Sequence, residues 1–290
     1  MSTTATHPAL SPVGHDLRFT GVVRAEWIKF RSIRSTWWAY AILVVLTVGF
    51  GAQMSASLSF QGVEVVPTQD AIQDMAVYAV MVSTDVSTLV VSVLGVLLIA
   101  GEYGTGMMRS TLTAVPKRLS ALLAKALVFV VVTFVVSAVA FAITVPISVG
   151  LFAGNGFDVT LDDPHYWLAL LGGAGYLVLV GLIAFGIGAL LRNTAGGIAV
   201  AVGLVLAAPL ALSLVLGFAS SGWVENVATL LPSTAGSLLF SYPTEQSWVD
   251  LLPPVSEGWL TEPWQGGLVL VGWAVVLFTA AAVLLKRRDA

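Results

Sequence analysis

The chain contains no cysteine, which excludes disulfides, thiolate metal sites and thiol redox chemistry. Histidine is nearly as scarce. His7 and His15 fall in a polar N-terminal stretch and His165 in a loop, too far apart to build a metal cluster. Charged residues make up only 10%, against roughly 25% in soluble domains. Motifs are missing as well. No Gly-Lys dipeptide occurs, so the phosphate-cradling loop GxxxxGK[ST] is excluded. There is also no G-x-S-x-G serine elbow, no H-E-x-x-H and no central acidic pair. The expectation is a chain that is not an enzyme, holds no metal or cofactor and has no nucleic-acid partner.

What fills the chain instead is apolar: 57% of residues are hydrophobic and the mean hydropathy is +0.92. A membrane-spanning helix needs about 20 predominantly apolar residues. Six segments qualify, at about 37–54, 77–100, 119–149, 166–191, 195–218 and 266–285. Backbone groups cannot stay unpaired in lipid, and a barrel would show alternation instead of continuous runs. The fold class is therefore all-α and polytopic. Residues 1–17, rich in Ser, Thr, Pro and His, lack a basic start followed by an apolar core. They read as a flexible cytoplasmic tail, and 18–290 as one transmembrane domain.

Lys and Arg mark cytoplasmic loops. All 13 fall on one side: before the first span, between the second and third or in the opening turns of the third (Lys125), between the fourth and fifth, or after the sixth. The opposite loops hold none and carry acidic residues such as Glu64, Asp70, Asp74, Asp162 and Glu257. Both termini are expected in the cytoplasm. Arg outnumbers Lys, and Ala, Gly and Val are heavily used, a composition that points to a GC-rich bacterial genome and hence a bacterial plasma membrane.

Before the first span, Phe19, Val22, Val23, Trp27, Phe30, Ile33 and Trp37 recur at helical spacing, with Arg24, Lys29 and Arg31 elsewhere on the wheel. A basic amphipathic helix over 19–36, carrying Glu26, Trp27, Phe30, Arg31 and Arg34, would lie on the lipid of the inner leaflet. The alternative is an ordinary basic flank that fixes orientation. Glu26 falls inside the apolar arc, with a nearby Arg as its only evident partner. The outer stretch 219–265 carries Trp223, Trp248, Trp259 and Trp264. It reads either as two short helices dipping into the outer interface or as a loop packed on the helix ends.

Three features stand out within the spans. Gly181, Ala184 and Gly188 share one helix face and allow close approach of a neighbour, within the subunit in preference to a dimer seam. Asp85, with Thr88 and Ser92 at i+3 and i+7, is a candidate pathway lining. Counting up from Glu102 at 1.5 Å per residue puts Asp85 near the outer boundary, partly hydrated. Thr133, Ser137 and Thr144 form a weaker stripe that lines a pathway or bonds back to its own helix.

The stretch GEYGTGMMRSTLTAVPKRLSALLAK, residues 101–125, uses far more chain than a helix-to-helix turn requires. In it Met108, Leu112 and Val115 form a one-sided apolar strip on a short helix ended by Pro116. That strip faces either a cytoplasmic protein or the chain's own bundle.

Together with RAEWIKFRSIRSTWW before the first span, LLRNTAGGIAV between the fourth and fifth, and VATLLPSTAGSLL before the sixth, this stretch resembles the permeases of type 2 ATP-binding-cassette (ABC) transporters. The resemblance covers residues 18–288. It implies an exporter half that dimerises with a second permease subunit, taken as a copy of itself, and binds two separate ATPase subunits that carry the ATP. It further implies a coupling element of Glu102, Gly104, Thr105, Met108, Arg109, Leu112, Pro116 and Arg118 that docks into the ATPase. The 19–36 helix becomes the elbow along the inner leaflet, and the second and fifth spans frame the pathway. The competing reading is an ion-coupled secondary transporter, which calls for charged residues or broken helices near the midplane. Asp85 is the single candidate for that role.

Overall fold

Lipid offers no water to pair with a backbone amide, so each long apolar run closes its hydrogen bonds on itself. The structure, a computed structural model, describes residues 18–58, 67–107, 118–218, 222–244, 259–260 and 262–287. Among these the regular structure is entirely helical. The elements are α1 (Phe19–Ser32), α2 (Arg34–Ser57), α3 (Gln69–Met81), α4 (Ser83–Thr105), α5 (Arg118–Gly154) and α6 (Pro164–Leu191), followed by α7 (Thr194–Val202), α8 (Ala208–Phe218), α9 (Gly222–Thr229), α10 (Pro232–Leu239) and α11 (Pro263–Arg287). A π-helical segment, Gly203–Ala207, joins α7 to α8.

Six helical stretches are long and apolar enough to cross a membrane, as the sequence leads one to expect. The boundaries differ in instructive ways. The second span begins at Gln69 and not at residue 77, because Thr68 caps the helix by accepting from the Ala71 N–H at 3.3 Å. Asp70 and Asp74 are therefore helical residues, not loop residues. Gln73 is buried in the same helix, and its amide donates to the Thr160 carbonyl at 2.6 Å. The third span runs from Arg118 to Gly154 and takes Pro146 within it.

Connectivity alternates the spans, so the described basic residues gather at one end of the bundle and Asp70, Asp74, Asp158, Asp162 and Asp163 at the other. At the acidic end Asp163 caps α6, accepting from the His165 N–H at 2.9 Å, and accepts from the Tyr242 hydroxyl at 2.6 Å. Burial is the largest single effect and opposes its charge, but the bonds from Tyr242 and His165 together outweigh it and hold its pKa below the usual carboxylate value.

The centre of the bundle is α6 against α4. Leu177, Ile183 and Phe185 are fully enclosed. The stripe Gly181, Ala184 and Gly188 faces α4 of the same chain: a Cβ at Gly95 would strike the Gly181 carbonyl and the Phe185 N–H, and one at Gly188 would strike the Val96 backbone and Ile99. Close backbone approach of this kind is how helices pack where lipid supplies no hydrophobic drive. Polar side chains join α2 to its neighbours. Tyr40 and Thr133 share a hydrogen bond at 2.7 Å, Thr47 and Ser87 one at 3.0 Å, and Ser55 and Ser148 one at 2.7 Å.

The stretch before the sixth span forms two short helices, α9 and α10. The second is packed on the bundle: Gly236 lies against the Tyr176 ring and Gly266 against the Ala235 carbonyl, while Trp273 Nε1 donates to the Leu230 carbonyl at 3.0 Å. Trp223, Trp259 and Trp264 point outward; Trp248 lies outside the described residues.

Gly95→Val puts a branched side chain onto backbone that cannot yield, and overpacking of this kind costs about 1–3 kcal/mol. Its thermal unfolding midpoint in detergent should fall clearly. Gly150→Ala, where an added Cβ meets open space, should leave the midpoint unchanged or slightly higher. Equal midpoints for Gly95→Val and wild type would refute the close α4–α6 contact.

Candidate coupling site at the basic end of the bundle

Helix α1 meets the bundle along a narrow row. Val22, Glu26 and Phe30, spaced four apart, are its buried residues, whereas Phe19, Trp27 and Ile33 of the expected apolar arc remain substantially exposed. The helix ends at Ser32, shorter than the 19–36 span read from periodicity. Ile33 is extended (φ −86°, ψ 103°), and Arg34 opens α2. The break is tied by Trp37 Nε1, which donates to the Arg31 carbonyl at 3.1 Å. Phe30 packs near the Tyr40 and Trp37 rings, at 6.1 and 6.5 Å between centroids.

Glu26, at 5% exposure, is the centre of that buried row. Its partners are not arginines, as the sequence had led one to expect, but two lysines. Lys29 Nζ lies 2.8 Å from Glu26 Oε1 and Lys125 Nζ lies 2.9 Å from Glu26 Oε2. The same two lysines reach Glu102 Oε1, at 2.9 and 2.6 Å. Glu102 and Lys125 are 7% and 5% exposed. Four charges from three helices thus form a formally neutral set that joins α1 to the end of α4 and the start of α5.

Removing a carboxylate from water raises its pKa, yet the charge of Lys125 and the bonds from Lys29 and Lys125 outweigh this and keep Glu26 below its ordinary 4.5. Burial likewise pulls Lys29 down, but hydrogen bonds to Glu26 and Glu102 win and hold it above its ordinary 10.5.

Beyond Glu102, α4 ends at Thr105 because Gly106 adopts a left-handed conformation (φ 72°), which lacks steric cost only in glycine. Gly104 and Thr105 are exposed there, the Thr105 hydroxyl donating to the Gly101 carbonyl at 3.0 Å. Met108, Arg109, Leu112 and Pro116 lie outside the described residues, and Arg118 is the first residue of α5. Arg192, which turns α6 into α7 with positive φ, stacks over the Tyr103 ring at 5.0 Å. Trp27, Arg31 and Arg34 are on the outside of α1 and α2.

Asp85, Thr88 and Ser92 share a row on α4 but not an environment. Asp85 is exposed just after the break at Val82, whereas Thr88 and Ser92 are fully enclosed. Thr88 donates to the Asp85 carbonyl at 2.8 Å, and Ser92 has no hydrogen-bond partner among the described residues. Thr133, Ser137 and Thr144 are also enclosed. Thr133 bonds Tyr40 across helices, Thr144 donates back to the Ala140 carbonyl at 2.8 Å, and Ser137 has no described partner.

Sequence reasoning did not find the lysine partners. The available signal was the pairing of two anomalies: an acid within the apolar arc of α1 and a lone Lys in the apolar run SALLAKALVF. No known family model matches the chain, and no curated protein matches its sequence.

Lys125→Met should cost about 3–5 kcal/mol, because it strands buried carboxylates. Combining it with Glu102→Gln should recover part of that loss, a non-additivity read from the double-mutant cycle of thermal midpoints. The pH dependence follows from the two shifts. The depressed Glu26 contributes stability that is present above 4.5 and lost as pH falls through its lowered pKa. The raised Lys29 contributes stability that is present below 10.5 and lost as pH rises through its raised pKa. The stability that Glu26 and Lys29 contribute should therefore be flat between about pH 5 and 9 and fall at both extremes. A titration inflection near neutrality that vanishes in Glu26→Gln would contradict this assignment.

Proposed function

We propose that the chain is the permease subunit of a type 2 ABC exporter, working as a homodimer in the bacterial plasma membrane and driven by separate ATPase subunits. The observation that carries the reading is the largely buried Glu26–Lys29–Glu102–Lys125 cluster. It clamps α1 to the two helices that border residues 106–117, the connection between the second and third spans. A protein pushing on that connection would move α1, α4 and α5 together. The basic end is then the cytoplasmic one, α1 is the elbow on the inner leaflet, and Met108, Leu112 and Val115 fill a groove on the ATPase. ATP belongs to that partner, since the chain carries no phosphate-binding loop. Helix α4 and the span α7–α8 of the two copies frame the pathway. The outward row Leu206, Leu210 and Leu214 is available for a second copy or for lipid.

Because the chain has no cysteine, single introduced cysteines report without background. Cysteines at Glu64, Asp162 and Glu257 should react with an impermeant maleimide in intact cells, and one at Lys117 should not; the reverse pattern would overturn the orientation. Leu112→Asp should leave the subunit in the membrane but release the ATPase on detergent extraction and abolish ATP hydrolysis that requires both chains. The expected loss of affinity corresponds to about 1–3 kcal/mol or more at an interface anchor. Normal co-purification with undiminished hydrolysis would remove this stretch from the docking role.

A further inference from the structure

Between α1–α2 and α4 lies an open groove of about 560 Å³. Ile42 and Ala39 form one wall, and Leu89, Val93 and Leu97 the other. Its far end is closed by the charge cluster, where Glu26, Lys29, Glu102 and Lys125 line it beside Ser35 and Thr36. From Leu89 to Glu102 the α4 wall rises roughly 20 Å at 1.5 Å per residue. That exceeds one leaflet of a hydrocarbon core about 30 Å thick. The groove therefore has the depth of a lipid tail, and its apolar walls end at charge where a headgroup would begin.

The charged end is not fully satisfied. Both lysines converge on Glu102 Oε1, leaving Oε2 buried without a hydrogen-bond partner among the described residues. A buried acceptor of this kind costs free energy until a donor reaches it. The missing group is a donor. A lipid hydroxyl can donate as well, but an ammonium adds opposite charge to its N–H and is the stronger partner for a carboxylate.

We propose that this groove is a binding site for a membrane phospholipid whose head bears a primary ammonium, with the acyl chain between α2 and α4 and the ammonium donating to Glu102. The site lies in whichever leaflet faces Glu102 and does not depend on the ATPase reading. It also runs against ordinary expectation, since a bundle end rich in Arg and Lys attracts anionic lipid, whereas here both lysines already hold carboxylates and the unpartnered atom is an acceptor.

The full-length protein in nanodiscs would be photolabelled with phosphatidylethanolamine or phosphatidylglycerol carrying a diazirine on the acyl chain, and the adducts mapped by peptide mass spectrometry. Adducts on Leu89, Val93 and Leu97 should favour the ethanolamine probe by about tenfold, the ratio that one charge-assisted hydrogen bond supports. The outward residues Leu210 and Leu214 should take both probes equally. Val93→Trp, or Ile42→Trp from the opposite wall, should lower groove labelling to the level of that control. Glu102→Gln should bring the probe ratio near one. In the wild-type protein, unlabelled lysophosphatidylethanolamine should compete and lysophosphatidylglycerol should not. Equal labelling of groove and control, or preference for the glycerol head, overturns the proposal. So does an oxidised dimer formed by a cysteine at Leu97 with no lipid adduct, which would assign the groove to a second copy.

Discussion

Three charges held away from water, with a fourth, Lys29, at the rim, are tolerable at the edge of an apolar bundle only as a set. Each ion gives up several kcal/mol of hydration, and its attraction to a single partner seldom restores that in full. Here each lysine touches both carboxylates, so no member can leave without stranding the others. This condition fixes the local architecture. Helix α1 must stop at Ser32 and turn at Ile33, because a continuous helix into α2 would carry Glu26 away from Lys125. Likewise α4 must reach Glu102 before Gly106 turns it, and α5 must already be helical at Lys125.

The spans were legible because length and apolarity are sufficient physical causes of a membrane helix, and no tertiary contact is needed to read them. Where they begin was less legible. Gln69, Asp70, Gln73 and Asp74 look like loop until Thr68 caps the helix and the Thr160 carbonyl receives Gln73, and that carbonyl is remote in sequence. The stripe Gly181, Ala184 and Gly188 could be read as a close contact, but its partner on α4 could not, since Gly95 and Val96 carry no pattern that names α6. Glu26 was visible as an anomaly. Its partner Lys125 lies about a hundred residues away, and periodicity on one helix holds no information about charges on another.

The tight and loose parts of the bundle are separated. Glycine contacts weld α4 to α6, and small residues leave no slack for sliding at constant volume. The span α7–α8 is different: a π-helical segment interrupts it and its side chains largely face outward. A force applied where α4 and α5 meet at the basic end would therefore move α4 and α6 as one body, and relative motion would be taken up at the periphery.

The groove lies on that boundary. One wall is α4, which belongs to the welded core; the other is α1–α2, held to it at the basic end by the charge cluster. Its width is thus set at one end by the same lysines that neutralise Glu26 and Glu102, and toward the other by the Thr47–Ser87 hydrogen bond. A molecule seated there would resist displacement of α4 from α2, and displacement of α4 would weaken its binding by the same free energy, since coupling between two equilibria is reciprocal. Occupancy of the groove and displacement of α4 from α2 would then be coupled equilibria, with Glu102 as the residue common to both.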